Sequence, residues 1–188
     1  YTTLFRSGTA NALNPQGNYT NGIAAADYLC QRDANRPNNG NYKAMIVDDT
    51  GQYRSAYPVP VNWVFMPYSS YVNAQESPMF ITGLNPSNGN PFVVAVSSVT
   101  FNGYALNSIS SIAQPLFFTG LATNWSTIPG RNCQSWTSDE SSQSFYYGYS
   151  MINFAVPYLS SFNISVGIDQ CNSYNASNSY YLLCVEQP

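Results

Sequence analysis

Histidine is absent from all 188 residues. That excludes Ser-His-Asp and Cys-His nucleophilic catalysis and every histidine-ligated metal site. Charge is nearly as scarce: Asp, Glu, Lys and Arg make up 8% of the chain, against about 25% in ordinary soluble domains. With a net charge of −3 and no basic run, the chain lacks the clustered Lys and Arg that phosphate backbones require, so no nucleic-acid partner is expected. No run of 18 uninterrupted apolar residues occurs, and no membrane insertion is expected. No secretory leader is visible either; the chain opens at Tyr1 within a strand-like segment, TTLFR, as a mature or trimmed chain would.

Apolar residues nonetheless account for 44% of the chain, enough for a substantial core. Polarity comes from Asn, Ser, Thr, Gln and Tyr, which make a neutral surface rich in hydrogen-bonding groups. Helix-forming Glu, Lys and Ala are sparse, while Tyr, Val, Thr, Phe, Asn and Gly abound, which favours strands joined by long loops. Neither an internal repeat nor a linker divides the sequence, so residues 1–188 are expected to form a single domain.

The four cysteines, Cys30, Cys133, Cys171 and Cys184, suggest an oxidising compartment. A four-thiolate zinc site normally uses close pairs such as C-x-x-C, which the chain lacks, and no histidine is present to activate a free thiol. Three disulfide pairings remain. Cys30 lies on an amphipathic segment in which Ile23, Ala26, Leu29 and Cys30 share a face, with Asn21 and Gly22 as a cap region and Pro37 beyond its end. Cys184 lies in SYYLLCVEQP, an apolar run of strand character. Joining Cys30 to Cys184 would staple the early helix to the last strand, and Cys133 would then pair with Cys171 inside that outer loop. Closing a loop of about 100 residues stabilises by roughly 4–5 kcal/mol in the chain-entropy model, and the nested pattern suits a domain whose termini lie side by side.

Three stretches carry a family resemblance: NGIAAADYLCQRDA…GNYKAMIVDD, FFTGLATNW…NCQSWTS and C…YYLLCVEQ. In order and spacing the chain resembles an uncharacterised family of secreted bacterial domains found in Leptospira, Legionella and relatives, with a C-type-lectin-like or endostatin-like fold. It departs from that pattern at Ala25-Ala26-Asp27, where the family has Gly-Ala-Asp, and at Phe118-Thr119-Gly120, where it has Trp-Thr-Gly. Tyr57 to Asn107 match only loosely. The resemblance implies an α+β domain with a twisted, mostly antiparallel sheet, one or two helices, long loops and the two nested disulfides. It also implies secretion or display at the cell surface.

Along the chain, residues 1–7 read as a first strand and residues 23–34 as the helix. YKAMIVDD, MFITGL, PFVVAVSSVTFNGY and QPLFFTGL read as strands, with GLNPSNGNP as a hairpin-type connection. Pro58, Pro60, Pro67 and Pro78 interrupt regular ladders. CQSWTS resembles the central strand of the lectin-like fold, and residues 138–172 read as a Ser/Tyr/Asn-rich excursion before the final strand.

The segment WTSDESSQSFYYGY, residues 136–149, is the principal candidate site. Its paired acids Asp139 and Glu140 precede Tyr146, Tyr147 and Tyr149, and aromatic faces beside carboxylates and amides suit sugars. The plainer alternative is a solvated acidic turn with tyrosines packed on the domain. Trp125 reads equally well as an exposed ligand contact or as core. Trp136, beside Cys133, reads as core, and Asp27 as a structural acceptor of backbone N–H groups. The lectin-like resemblance brings calcium as the usual cofactor, and it needs six to eight oxygens. Gln114-Pro115-Leu116 lacks a third ligand, and Asp48-Asp49 with Thr50-Gly51 looks like a turn, so no cofactor or metal is expected. The sequons at Asn18, Asn124, Asn163 and Asn175 are no more than Asn and Ser/Thr content predicts.

The expected function is therefore non-catalytic: an adhesin-like bacterial binding protein that recognises a glycan or host surface protein through loops between Cys133 and Cys171. The Tyr/Asn/Ser surface also resembles antibody paratopes in composition. The alternatives are an assembly head of a larger surface protein and a carbohydrate-active hydrolase using paired carboxylates.

Overall fold

The computed structural model describes residues 2–9, 19–84, 91–94, 104–105, 116–152, 160–172 and 180–188. Its elements, in chain order, are β1 (Thr2–Thr9), α1 (Gly22–Arg32), β2 (Asn41–Ala44), β3 (Ser70–Asn73), β4 (Pro78–Leu84), β5 (Pro91–Val94), β6 (Tyr104–Ala105), β7 (Leu116–Phe118), α2 (Cys133–Trp136), β8 (Ser144–Ile152), β9 (Ser160–Gln170) and β10 (Tyr180–Gln187).

The strands join one sheet in the order β5-β4-β3-β1-β10-β7-β8-β9-β6, with β2 paired to β10 off that path. The first and last strands lie together near the middle and run antiparallel, Leu4 opposite Val185 and Phe5 opposite Cys184. The other edge of β10 is shared, β7 pairing parallel at Tyr180 and Tyr181, β2 antiparallel from Cys184 to Gln187. Among the described residues the parallel pairs are β1–β3 and β7–β10, and antiparallel pairing dominates. The architecture is α+β, as expected, and β4 and β5 pair antiparallel at either end of GLNPSNGNP, of which residues 85–90 lie outside the described ones.

Helix α1 begins where its cap residue stands. Asn21 is extended and its side-chain oxygen accepts the Ala24 N–H at 2.8 Å, satisfying a donor that the first turn cannot pair internally. Ile23, Ala26 and Cys30 are buried along one face. The helix ends at Arg32 because Asp33 is extended and takes the Asn35 N–H onto its carboxylate, two residues before the expected end. Cys30 is bonded to Cys184 and Cys133 to Cys171, so the nested pairing holds.

Two apolar clusters form the core. One gathers Trp63, Phe65, Tyr71, Met79, Phe80, Phe117 and Leu183. The other packs α1 onto the sheet through Ile23, Ala26 and Cys30 against Tyr42, Phe118, Trp136, Phe145 and Tyr180.

The observed structure corrects three sequence expectations. YKAMIVDD is a strand only over Asn41–Ala44; Met45 to Asp48 are all fully buried, without alternation, because the chain leaves β10 after the Met45 N–H bond to Leu183 and turns Val47 toward Thr119. CQSWTS is not a strand: Cys133, Gln134, Ser135 and Trp136 have φ of 52°, 52°, 56° and 66°, so α2 is a left-handed turn. Residues 138–172 are more than an excursion: β8 and β9 pair antiparallel, Ser144 with Gln170 and Ile152 with Ser160, while residues 153–159 lie outside the described ones.

Candidate functional site

The frame around the predicted site is held by polar groups buried in the fold. Arg54, fully buried, donates from Nη1 and Nη2 to the two Asp27 oxygens at 2.8 and 2.7 Å, and from Nη1 to Ala44 O at 2.6 Å. Its Nε donates to Asn62 O at 2.9 Å, and Asp27 Oδ1 also accepts the Ala44 N–H. This bidentate pair locks α1, the end of β2 and the loop after it into one unit. Asp48, also fully buried, closes the next turn by accepting from Thr50 Oγ1 and from the backbone N–H groups of Gln52, Tyr53 and Arg54. The expected structural role of Asp27 and the turn at Asp48-Asp49 are both present. Arg54 gave no signal in the sequence, because a single Arg between Tyr and Ser has no pattern that marks burial.

The left-handed turn α2 is fastened from several sides. Asn132 caps it, its side chain accepting the Ser135 N–H at 3.1 Å. The Trp136 indole N–H donates to Val47 O at 2.7 Å, and Ser135 Oγ accepts the Asp49 N–H at 3.1 Å. Gly22 makes the close approach of α1 feasible: a Cβ there would stand 2.2 Å from Ser135 O.

From this turn the chain enters the segment that carries the paired acids. Its start is tied down by the Thr137 and Ser138 N–H bonds to Cys133 O, and its end by the Cys171 N–H bond to Gln143 O at 3.0 Å. The Cys133–Cys171 disulfide joins the two anchor points covalently. Between them Asp139 and Glu140 are exposed. The Glu140 N–H donates to Ser138 Oγ, and Glu140 Oε2 accepts from Ser142 Oγ at 3.3 Å.

The tyrosines lie elsewhere than in a loop. Tyr146, Tyr147 and Tyr149 are all on β8. Tyr147 packs into the second core cluster, its ring 5.5 Å from Tyr180. It lies across Gly167 of β9, where a Cβ would stand 2.5 Å from its hydroxyl oxygen. Tyr146, half-buried, is the next residue along the strand, and alternation puts it on the other face. Tyr149 pairs through its backbone with Leu116 and Asn163. Trp125, half-buried with φ of 69°, packs against the first cluster, edge-on to Trp63 and Phe65, each at 6.1 Å. Trp125 and Tyr147 thus pack against two different cores, and of the predicted residues Asp139 and Glu140 stand together as an open, anchored pair.

Other acids serve the fold. Asp169 accepts the Tyr180 hydroxyl at 2.5 Å, Glu186 accepts from Asn38, and Asp49 accepts the Gly130 N–H at 2.7 Å. Among the described residues no group of three His, Cys, Asp or Glu side chains is placed to hold a metal ion. Gln114 and Pro115 of the weighed calcium motif lie outside the described residues, as do Asn18 and Asn175 of two sequons.

A family model described as "Protein of unknown function (DUF1554)" matches residues 12–152. No curated protein matches the chain.

Proposed function

The chain belongs to the DUF1554 family of proteins of unknown function, and from that premise we propose that it is a bacterial recognition domain of C-type-lectin-like fold, secreted or displayed at the cell surface. It binds a glycan or host surface protein without catalysis. Two disulfides suit an oxidising extracellular environment, and no helix among the described residues is long and apolar enough to cross a membrane. The observation that carries the reading is the Ser138–Gln143 segment, fastened at both ends by backbone bonds to the partners of one disulfide, with Asp139 and Glu140 turned out to solvent. A contact loop already ordered before binding loses little entropy when it meets a partner. The carboxylates accept hydrogen bonds from hydroxyl, amide or cationic groups. Asp27, Asp48, Asp49, Asp169 and Glu186 are engaged as internal acceptors, which favours recognition over a two-carboxylate hydrolase.

A broad glycan array, followed by capture from host-cell surface extracts, tests this with the wild type, Asp139→Ala, Glu140→Ala and Trp125→Ala. Specific binding lost in the two acid variants and unchanged by EDTA is expected. Because Trp125 braces the first core cluster, its variant is read only beside a melting curve. If neither acid substitution removed any specific interaction, the assignment of the site would be overturned.

A further inference from the structure

A second surface, on the opposite wing of the sheet, has a different chemistry. β3 is four strand spacings from β8 in the sheet order, about 19 Å at 4.8 Å per strand. Just before β3 the turn Met66–Ser69 presents Tyr68 with 74% of its surface exposed, beside Met66 at 44% and Ile81 of β4 at 37%. Pro67 between them is exposed too. Tyr68 has φ of +54°, a left-handed conformation that disfavours a side chain. A ring so exposed contributes little packing to offset that cost, and an outlier of this kind points to function rather than to stability.

The turn is rigid. Buried Thr82 donates from Oγ1 to Met66 O and accepts the Ser69 N–H at 3.0 Å, while its own N–H donates to Ser69 O at 2.9 Å. The Met66 N–H donates to the Tyr71 hydroxyl at 2.8 Å and Ser69 Oγ to Pro67 O at 3.2 Å. The ring is therefore held ready before any partner arrives.

Charge selects the partner. From Ser55 to Gly130 the sequence holds a single charged residue, Glu76, and Glu76 sits in the Asn73–Ser77 turn at the far end of the β3–β4 hairpin. A charged ligand would lose hydration at Tyr68 without gaining a counter-charge from the turn or from the near end of the β3–β4 hairpin. Size narrows the choice further. Four apolar side chains about one turn match one or two sugar rings, whereas a standard protein interface engages about 20–30 residues a side. The absence of Lys and Arg from this stretch removes the attraction that anionic membranes supply. We infer that the Met66–Ser69 turn is a contact site for a neutral saccharide, whose C–H face stacks on Tyr68 while its hydroxyls bond the Tyr68 hydroxyl and the half-buried Ser69 and Ser70. This inference stands apart from the Asp139/Glu140 reading.

Native affinity electrophoresis through gels containing neutral glucan, mannan or galactan tests it. Wild-type protein is expected to be retarded by at least one of them, equally at low and high salt. Tyr68→Ala and Tyr68→Gly should weaken that retardation about tenfold or more. Tyr68→Phe should keep most of it. Tyr68→Gly should also melt no lower than wild type, since glycine relieves the left-handed backbone, so lost binding is not lost folding. Folded protein that no neutral polysaccharide retards, retardation untouched by Tyr68→Ala, or capture by vesicles alone would each overturn the inference.

Discussion

Replacing Gln134 by glycine should stabilise this protein, although glycine in place of glutamine ordinarily destabilises. Gln134 has φ 52° and ψ 58° at the centre of α2, and its side chain is exposed. A left-handed residue other than glycine costs about 1–2 kcal/mol, and glycine adds about 0.5–1 kcal/mol of backbone entropy to be lost on folding. Taking the middle of each range, the difference is a net gain of about 0.75 kcal/mol. The interactions that hold α2 involve Asn132, Ser135, Trp136 and the backbone of Gln134 itself, so the substitution removes none of them. For a domain of this size 1 kcal/mol moves Tm by about 2–4 °C, so calorimetry should show a rise of about 1.5–3 °C with the urea m-value unchanged. Gln134→Ala keeps the cost and should melt no higher than wild type, whereas Ala24→Gly in right-handed α1 should lose about 1 kcal/mol. A fall in Tm for Gln134→Gly comparable to that for Ala24→Gly would refute the reasoning, because it would mean that residue 134 is not left-handed in solution.

Three further outcomes follow from the same structure. Asp27→Ala should cost about 3–5 kcal/mol in urea denaturation, because it leaves the fully buried Arg54 guanidinium without its carboxylate; Arg54→Met in the same chain should recover part of the loss. Replacing Cys133 and Cys171 together by Ala opens a 38-residue separation and should cost about 4 kcal/mol by the loop-closure relation, with protease cleavage appearing first between Ser138 and Gln143. Burial raises the Tyr71 phenol above its ordinary value of 10.0. The folded chain therefore holds that proton more tightly than the unfolded chain, and stability that is complete below about pH 10 should fall as pH rises beyond it. Tyr71→Phe should flatten that alkaline decline while losing about 1 kcal/mol at neutral pH with the Met66 hydrogen bond.

Much of the scaffold was legible in the chain because the signals are local. Asn21 before a stretch of Ala and Ile marks the start of α1, and a cap bonds a donor only three residues away. Alternating β-branched and aromatic runs located parts of β1, β4, β5, β7 and β10. The apolar faces around Cys30 and Cys184 carried the disulfide pairing. The β8–β9 ladder was missed because its Ser, Tyr and Asn content is as common in loops as in strands. With it went the placement of Tyr146, Tyr147 and Tyr149, which stand in that ladder opposite Ile168, Gly167 and Asn163.

By itself the sequence determined the absence of histidine chemistry, the near absence of charge, the α+β class and the four cysteines that close the domain. Tertiary structure alone decided that Arg54 would be buried against Asp27, that Trp125 and Tyr147 would pack into separate cores, and that Cys133–Trp136 and Tyr68 would adopt left-handed backbone. The reason is the same in each case. Gln, Ser, Trp and Tyr have no local preference for positive φ, so it is imposed on them from afar. For α2 the constraints are Val47 O on the Trp136 indole, the Asp49 N–H on Ser135 and the bond to Cys171. For Tyr68 they are the bonds by which Thr82, on the neighbouring strand, grips the turn.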